Sequence, residues 1–414
     1  VRSPRPGTPS LLRELNDRAA LELLLDGRSL TRAQLSEQTG VSKVTVAQML
    51  ARLEDRGLVT AVGASSGGRG PNAQLYSVVP SSAYAAALYV EQDLVSTAVA
   101  DVTGRVIAEV RDEVPPSGEG DPVELVRSAV DRACARAGLS VDLLSAFVIG
   151  SPGVVDPVSG DPQLAINLPA WHSGVLAALR SLHKNVLIEN DVNLAAIAEH
   201  TAGAAVGADD FVLLWIGTGI GLATVLGGRL HRGASGAAGE IGWLPVPGAP
   251  VAPNVRLPAG GGLQWLAGAD TVRAVAAEYG IAAAGTGGTP AVVAASAGEA
   301  VHAAVAAAGS AANAADTDGA VRAGQFLDEL ARRVALGATA ICTVIDPGLV
   351  VLGGEIGLAG GTALASRVAA EVARICPVRP QVVPTTVASD PVLRGALFTA
   401  VQRARADLLA SVGG

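Results

Sequence analysis

The sequence predicts an α/β protein in two unlike parts, a short helical head and a long body built from one unit used twice. Within the first 80 residues, short helix-period patterns separated by Gly-containing turns end in two strand-like runs. After Pro80, strand-like runs come in threes, and each set is followed by a helix pattern and a buried strand ending on Gly. Three polar stretches stand where such strands end: Val186-Leu-Ile-Glu-Asn-Asp-Val-Asn193, Trp215-Ile-Gly-Thr-Gly-Ile-Gly221 and Ala238-Gly-Glu-Ile-Gly242. In open α/β sheets, ligands lie beyond the carboxyl ends of strands, so these stretches are expected to share one cleft.

Composition bounds the function. The chain of 414 residues is 50% apolar and 16% charged, which suits two or three well-buried domains and not disorder. No stretch reads as continuously apolar over the length of a membrane span, and no start of signal type is seen, so a cytoplasmic protein without a membrane partner is expected. Cys134, Cys342 and Cys376 are few and far apart, and are expected to be core thiols. The net charge is −8, yet residues 1–80 hold 10 Lys+Arg against 7 Asp+Glu. A mildly basic head on an acidic body points to the head as the part that meets a polyanion.

In the head, Leu12, Leu15, Ala19 and Leu23 mark the apolar face of a first helix, closed by Asp26-Gly27. Thr31 with Gln34 forms a capping box for a second, short helix. Thr39-Gly40 makes the turn, and Ser42 caps a third helix reaching Leu53. There Val46, Met49, Leu50 and Leu53 face inward, while Thr45, Gln48 and Arg52 face outward, with Lys43 near the start. The runs Leu58-Val-Thr and Leu75-Tyr-Ser-Val flank a loop, Ser65-Ser-Gly-Gly-Arg-Gly-Pro-Asn72, with one charge, Arg69. Helix, turn, helix and wing together imply a winged helix-turn-helix. Ser42, Lys43, Thr45, Gln48, Arg52 and Arg69 are then the candidate contacts to double-stranded DNA.

In the body, Ala85–Val90, Val95–Val102 and Arg105–Val110 read as a meander, followed by a helix at Pro122–Ala137 and a buried strand at Ala146–Ile149. Phe211–Ile216, Leu222–Leu226 and Arg229–His231 read as a second meander, with Leu349–Leu352 as the matching buried strand. Two copies of one βββαβ unit imply two similar lobes around a cleft. Residues 281–320 are Ala/Gly-rich with little pattern, and loops and short helices are expected there. A last helix is expected near Val392–Leu409. Asn190 and Asp191 fall at a strand end. For Asp191 two roles stay open, ligand contact and mere N-cap of the following helix.

These residues carry a resemblance. Gly150-Ser-Pro-Gly-Val-Val-Asp156, Asn167-Leu-Pro-Ala-Trp171, Glu189-Asn-Asp191, Gly217-Thr-Gly-Ile-Gly221, Ala238-Gly-Glu-Ile-Gly242 and Asp346-Pro-Gly-Leu-Val-Val-Leu-Gly-Gly354 together resemble the ROK family of repressors, open reading frames and sugar kinases. The resemblance implies a two-lobed, actin-like fold, a duplicated ribonuclease-H-like one, behind the winged head of the family's regulators. It also implies that Asn167, Asn190, Asp191 and Glu240 contact sugar hydroxyls, for which amides and carboxylates are suited. Three departures stand out. The position of the kinases' phosphate loop holds Tyr89, Glu91, Gln92 and Asp93, whose carboxylates would repel a triphosphate. The family's zinc ligands fall on Trp243, Val255, Leu257 and Gly262, none of which can ligate zinc. A further sugar-contacting Glu is here Gln264.

The expectation is therefore a sugar-responsive regulator, a repressor in character, that binds a palindromic operator as a homodimer or dimer of dimers. Its effector, a small sugar or sugar derivative, would lie against Asn167, Asn190, Asp191, Glu240, Trp243 and Gln264. No catalytic residue, metal or cofactor is expected. The alternative is a sugar kinase of the ROK type with an accessory DNA-binding head. The expected divisions are 1–80 for the head, 81–200 with 386–414 for the first lobe, and 201–385 for the second.

Overall fold

The computed structural model describes residues 9–65, 73–91, 94–114, 121–160, 162–164, 185–255, 260–281, 289–309 and 317–412. The head runs α1 (Pro9–Leu25), β1 (Leu30–Thr31), α2 (Arg32–Thr39), α3 (Lys43–Asp55), β2 (Val59–Ser65) and β3 (Ala73–Val78). The caps fall where the side chains predict them. Thr31 and Gln34 form a full capping box, Gly40 takes φ 72 at the end of α2, and the Ser42 side chain accepts from Thr45 N at the start of α3. Val46, Met49, Leu50 and Leu53 are all buried. The strands pair antiparallel in the order β1-β3-β2, and β1 is too short to show a period in sequence.

On α1 the marked apolar face is not the buried one. Leu12 and Leu15 are 57% and 53% exposed, whereas Ala20, Leu21, Leu24 and Leu25 are buried. The reason is length: the first two turns of α1 run past the head's small core, and only its second half lies over α3 and β3.

Each half of the body is a five-stranded sheet of the same design. The first is β4 (Tyr84–Val90), β5 (Leu94–Asp101), β6 (Val106–Glu113), β7 (Leu144–Ser151) and β10 (Val186–Asn190), in the order β10-β7-β4-β5-β6. The second is β11 (Phe211–Ile216), β12 (Ile220–Leu226), β13 (Arg229–Leu230), β14 (Leu349–Gly353) and β15 (Gln381–Pro384), in the order β13-β12-β11-β14-β15. In both, three strands form an antiparallel meander and two more join parallel. A small ribbon, β8 (Val154–Val155) with β9 (Pro162–Leu164), follows β7.

The helices exchange sheets. In chain order they are α4 (Pro122–Arg136), α5 (Asp191–Ala202), α6 (Gly262–Ala267), α7 (Ala269–Glu278), α8 (Pro290–Gly309), α9 (Thr317–Ile345), α10 (Gly354–Ile375) and α11 (Pro391–Ser411). Helix α5 follows the first sheet but packs against β11 and β12 of the second. Helix α11 follows the second sheet but packs on β4, β5 and β7 of the first. They cross each other so closely that a Cβ at Gly395 would collide with the Leu194 carbonyl. Strand alternation sorts the side chains accordingly. Ala85 and Ala87 face the core shared with α5 and α11, while Ala86, Leu88 and Val90 face α4. The far end of α11 enters the head: Leu409 and Val412 join Ala20, Leu21 and Leu24 in that same core, and Arg56 Nη2 donates to Ser411 O at 2.8 Å.

The stretch 281–320 departs from expectation. It holds α8, a helix of 20 residues, not short pieces. Ala is the strongest helix former, and its small side chain hides the period that the buried Ala294, Ala297, Ala300, Val301 and Ala304 reveal. By length and composition Ala291–Gly309 could cross a membrane, unlike the sequence expectation, yet α8 packs between α9 and α10.

Candidate functional site

The cleft is built around the end of β10. Asn190 is the N-cap of α5: its Oδ1 accepts from Asn193 N at 3.0 Å and its Nδ2 donates to Gly153 O at 3.0 Å. The bland role open to Asp191 thus belongs to its neighbour. Asp191 is the first helical residue, and its Oδ1 accepts from Val192 N at 2.8 Å. Behind them Glu189 is buried. Its Oε1 accepts from Asn190 N and from Asn193 Nδ2, at 3.0 and 2.9 Å. Its Oε2 accepts from Arg232 Nε at 2.7 Å and pairs with Arg232 Nη2 at 2.6 Å. Arg232 lies just past β13, so this ion pair ties the two halves of the body together.

From Arg232 a loop carries Glu240 toward Asp191. It presses on the first half at Gly236, where a Cβ would strike the Val155 carbonyl. At Gly239, φ 109 admits the Leu222 carbonyl alongside. Glu355 opens α10 directly beyond β14, and a Cβ at Gly217 would occupy the place of its carboxylate. Burial is the first cause that lifts the Asp191 carboxyl to about 7. The Val192 N–H opposes that shift, and the charges of Glu240 and Glu355 add to it. Burial also raises Glu240 and Glu355, and raises the Tyr89 hydroxyl, which further feels Asp191, Glu91 and Glu355. Three carboxyl groups and a phenol from both halves thus come within electrostatic reach of one another.

Sequence reasoning missed Glu355, and it singled out Tyr89 only as a departure from a phosphate loop, not as a neighbour of Asp191. The signal for Glu355 was present, since it directly follows the strand ending Gly353-Gly354, where a ligand-facing residue belongs. Gln264 has a different position from the others. Its Oε1 accepts from Ile220 N at 2.7 Å and its Nε2 donates to Thr218 O at 3.1 Å, so it braces the β11–β12 turn. Trp243 is half-buried, and its indole N–H is buried without a partner among the described residues. Around it the chain is held by backbone bonds, Gly262 N to Pro250 O and Leu263 N to Leu244 O, at 2.8 and 3.0 Å. Val255 is exposed. Asn167, Leu257, Gln92, Asp93 and Arg69 lie outside the described residues.

On α3, Lys43 and Gln48 are exposed as expected. Arg52 departs from that face: it grips the buried Asp17 of α1 in a bidentate pair, with Nε to Oδ2 at 2.7 Å. Thr45 is half-buried, with its hydroxyl 2.9 Å from the Ser42 hydroxyl, which also accepts from Thr45 N at the cap.

A winged helical head fused to a duplicated two-sheet body with a polar cleft defines a class, and the comparisons identify its family. The ROK family model matches residues 92–403, and the MarR family model matches residues 15–70. The chain belongs to the ROK family. It is 26% identical over 246 residues to the xylose repressor of Caldicellulosiruptor bescii, covering 57% of this chain and 60% of that protein. To the DNA-binding transcriptional dual regulator NagC of Escherichia coli it is 26% identical over 245 residues, 58% of this chain and 59% of that one. The chain thus matches about three fifths of the length of these curated relatives. A solved ROK family transcriptional regulator, described as a homolog of the Escherichia coli MLC protein, shares the fold over 97% of this chain and 99% of its own, with a TM-score of 0.68 at 18% identity. A ROK hexokinase from Thermus thermophilus aligns over 77% of this chain and 98% of its own, with a TM-score of 0.58 at 26% identity.

Proposed function

We propose that the chain is a sugar-responsive transcriptional repressor that acts in the cytoplasm as a homodimer or dimer of dimers on a palindromic operator. The observation that carries this reading is the continuous core along α11 between the cleft and the head. Near its start Val392 packs beside Gly150 and Tyr89, and at its end Leu409 and Val412 pack into the head. A sugar that binds more tightly to one arrangement of the two halves would shift α11, and with it the spacing of two heads on DNA. Asp191 and Glu240, from opposite sides of the cleft, are the proposed hydroxyl contacts. Asn190 offers what its cap role leaves over, and Asn167 joins them on the strength of the family motif. Trp243 is the proposed apolar neighbour of the sugar, and Gln264 positions the turn at its edge. Residues 1–80 would form the DNA-binding unit, with 81–200 plus 386–414 and 201–385 as the two lobes.

The test measures operator affinity with and without a panel of pentoses, hexoses and N-acetylated hexosamines. One sugar is expected to weaken operator binding, and Asp191→Ala to abolish that response while leaving sugar-free DNA binding unchanged. Equal sugar sensitivity in the variant would reject the cleft as the effector site.

A kinase is the second reading, favoured by an Asp191 carboxyl near 7, which suits a general base, and by the likeness to the hexokinase. Against it stand Glu91, Gln92 and Asp93 where a phosphate loop would be. A base without a held phosphoryl donor gives little rate. Sugar-dependent ADP formation that Asp191→Asn removes would overturn the repressor-only reading.

A further inference from the structure

The head's reading surface differs from the one its sequence suggests. Of the four side chains of α3 expected to face DNA, Arg52 is engaged by Asp17 and Thr45 by Ser42, which leaves Lys43 and Gln48 exposed and unpaired among the described residues. One turn before Gln48 stands Val44, 69% exposed. One turn after it stands Ala51, also exposed. Val44, Gln48 and Ala51, at i, i+4 and i+7, form a single line along the outer side of the helix. A β-branched side chain in an exposed first turn gains nothing from burial and weakens the helix, so the fold alone gives no reason for valine there.

Resting on the DNA-binding reading above, we infer that Val44 is a specificity-determining residue that packs on the C5-methyl group of a thymine in the major groove. The N-terminal part of a recognition helix is the part that reaches base edges. The thymine methyl is the apolar group those edges offer to an aliphatic side chain. Gln48, one turn away, has the amide that pairs with N6 and N7 of adenine. Lys43 at the helix start suits the phosphate beside them. The line aliphatic–amide–aliphatic therefore selects a half-site with adjacent A·T pairs, one presenting its methyl to Val44 and another its adenine edge to Gln48.

The experiment selects duplexes from a random-sequence pool with the full chain. It then replaces each thymine of the selected half-site in turn by deoxyuridine, which lacks only the methyl. For the unaltered protein, one such position is expected to weaken binding about three- to fivefold per half-site, the size of burying one methyl group. Val44→Ser, a change at an exposed position, should weaken binding to the thymine duplex by a similar factor and no longer distinguish thymine from deoxyuridine there. Indifference of the unaltered protein to deoxyuridine at every position overturns the assignment, as does a methyl preference that persists in Val44→Ser. A pool that yields no enriched sequence instead rejects the DNA-binding reading itself.

Discussion

The two sheets of the body are copies of one design, and they end their strands differently. In the first, β10 runs into α5 through Asn190, whose side chain caps the helix and leaves Asp191 to the cleft. In the second, β15 leads to α11 through Asp390, which sits at φ 49, makes no cap bond and pairs instead with Arg111 at 2.6 Å. The inner strands diverge in the opposite sense. β7 ends on Ser151, whose hydroxyl donates to Pro152 O at 3.2 Å, whereas beyond β14 stands Glu355. Each half thus sends an acidic residue to the cleft, but from a different strand. Duplication supplies the frame, and the chemistry of the cleft arises from where the copies stopped being alike.

The largest effect is expected where the exchanged helices cross. Gly395→Ala would drive a methyl into the Leu194 carbonyl and should cost about 3 kcal/mol. Gly324→Ala, in α9 with open space around it, should instead stabilise by about 0.5–1 kcal/mol. Urea denaturation of both reads the contrast, and equal effects would mean that the crossing tolerates displacement.

A smaller loss is expected for Arg232→Ala, which removes the tie between the halves and leaves buried Glu189 with one oxygen unpaired. The cost should be on the order of 1–3 kcal/mol, since only the Glu end of the pair is deeply buried. Adding Glu189→Gln should restore part of it, and failure of that double substitution to recover anything would show that the pair does not act as a unit.

Asp191 should make stability fall with rising pH. Its folded carboxyl titrates at about 7, above the ordinary value of ~3.9, so between those values the folded chain holds a proton that the unfolded chain has released. Unfolding is therefore favoured progressively from about pH 4 to about pH 7, by on the order of 1 kcal/mol for a side chain partly open to water. Asp191→Asn should flatten that decline, and an unchanged pH profile would place the titration elsewhere. The smallest expected effect concerns the second half alone. Trp243, Val255, Leu257 and Gly262 offer no zinc ligand, so a chelator should leave the melting temperature unmoved. Stoichiometric zinc in the purified protein would contradict this.

Much of this was legible because it is local. Caps at Thr31 and Ser42, the inward row Val46, Met49, Leu50 and Leu53, and the two meanders depend on residues a few positions apart, whose side-chain period reports the backbone directly. Asn190 and Asp191 stood out because a polar pair ended an apolar strand. Where local pattern was weak or misleading, the reading failed. Alanine concealed the period of α8, and Leu12 and Leu15 marked a face of α1 that is exposed among the described residues.

By itself the sequence determined most of the elements, their order and the repetition of the unit, since these rest on hydrophobic period and turn chemistry within short reach. Only the tertiary structure decided which partners those elements meet. Asp17 and Arg52 are 35 residues apart, and Glu189 and Arg232 are 43 apart, so no period links them. Their pairing follows from how helices and loops pack, as does the crossing of α5 and α11. The same packing made Arg52 a strut and left Val44 facing outward, because a side chain's role depends on what the rest of the chain brings beside it.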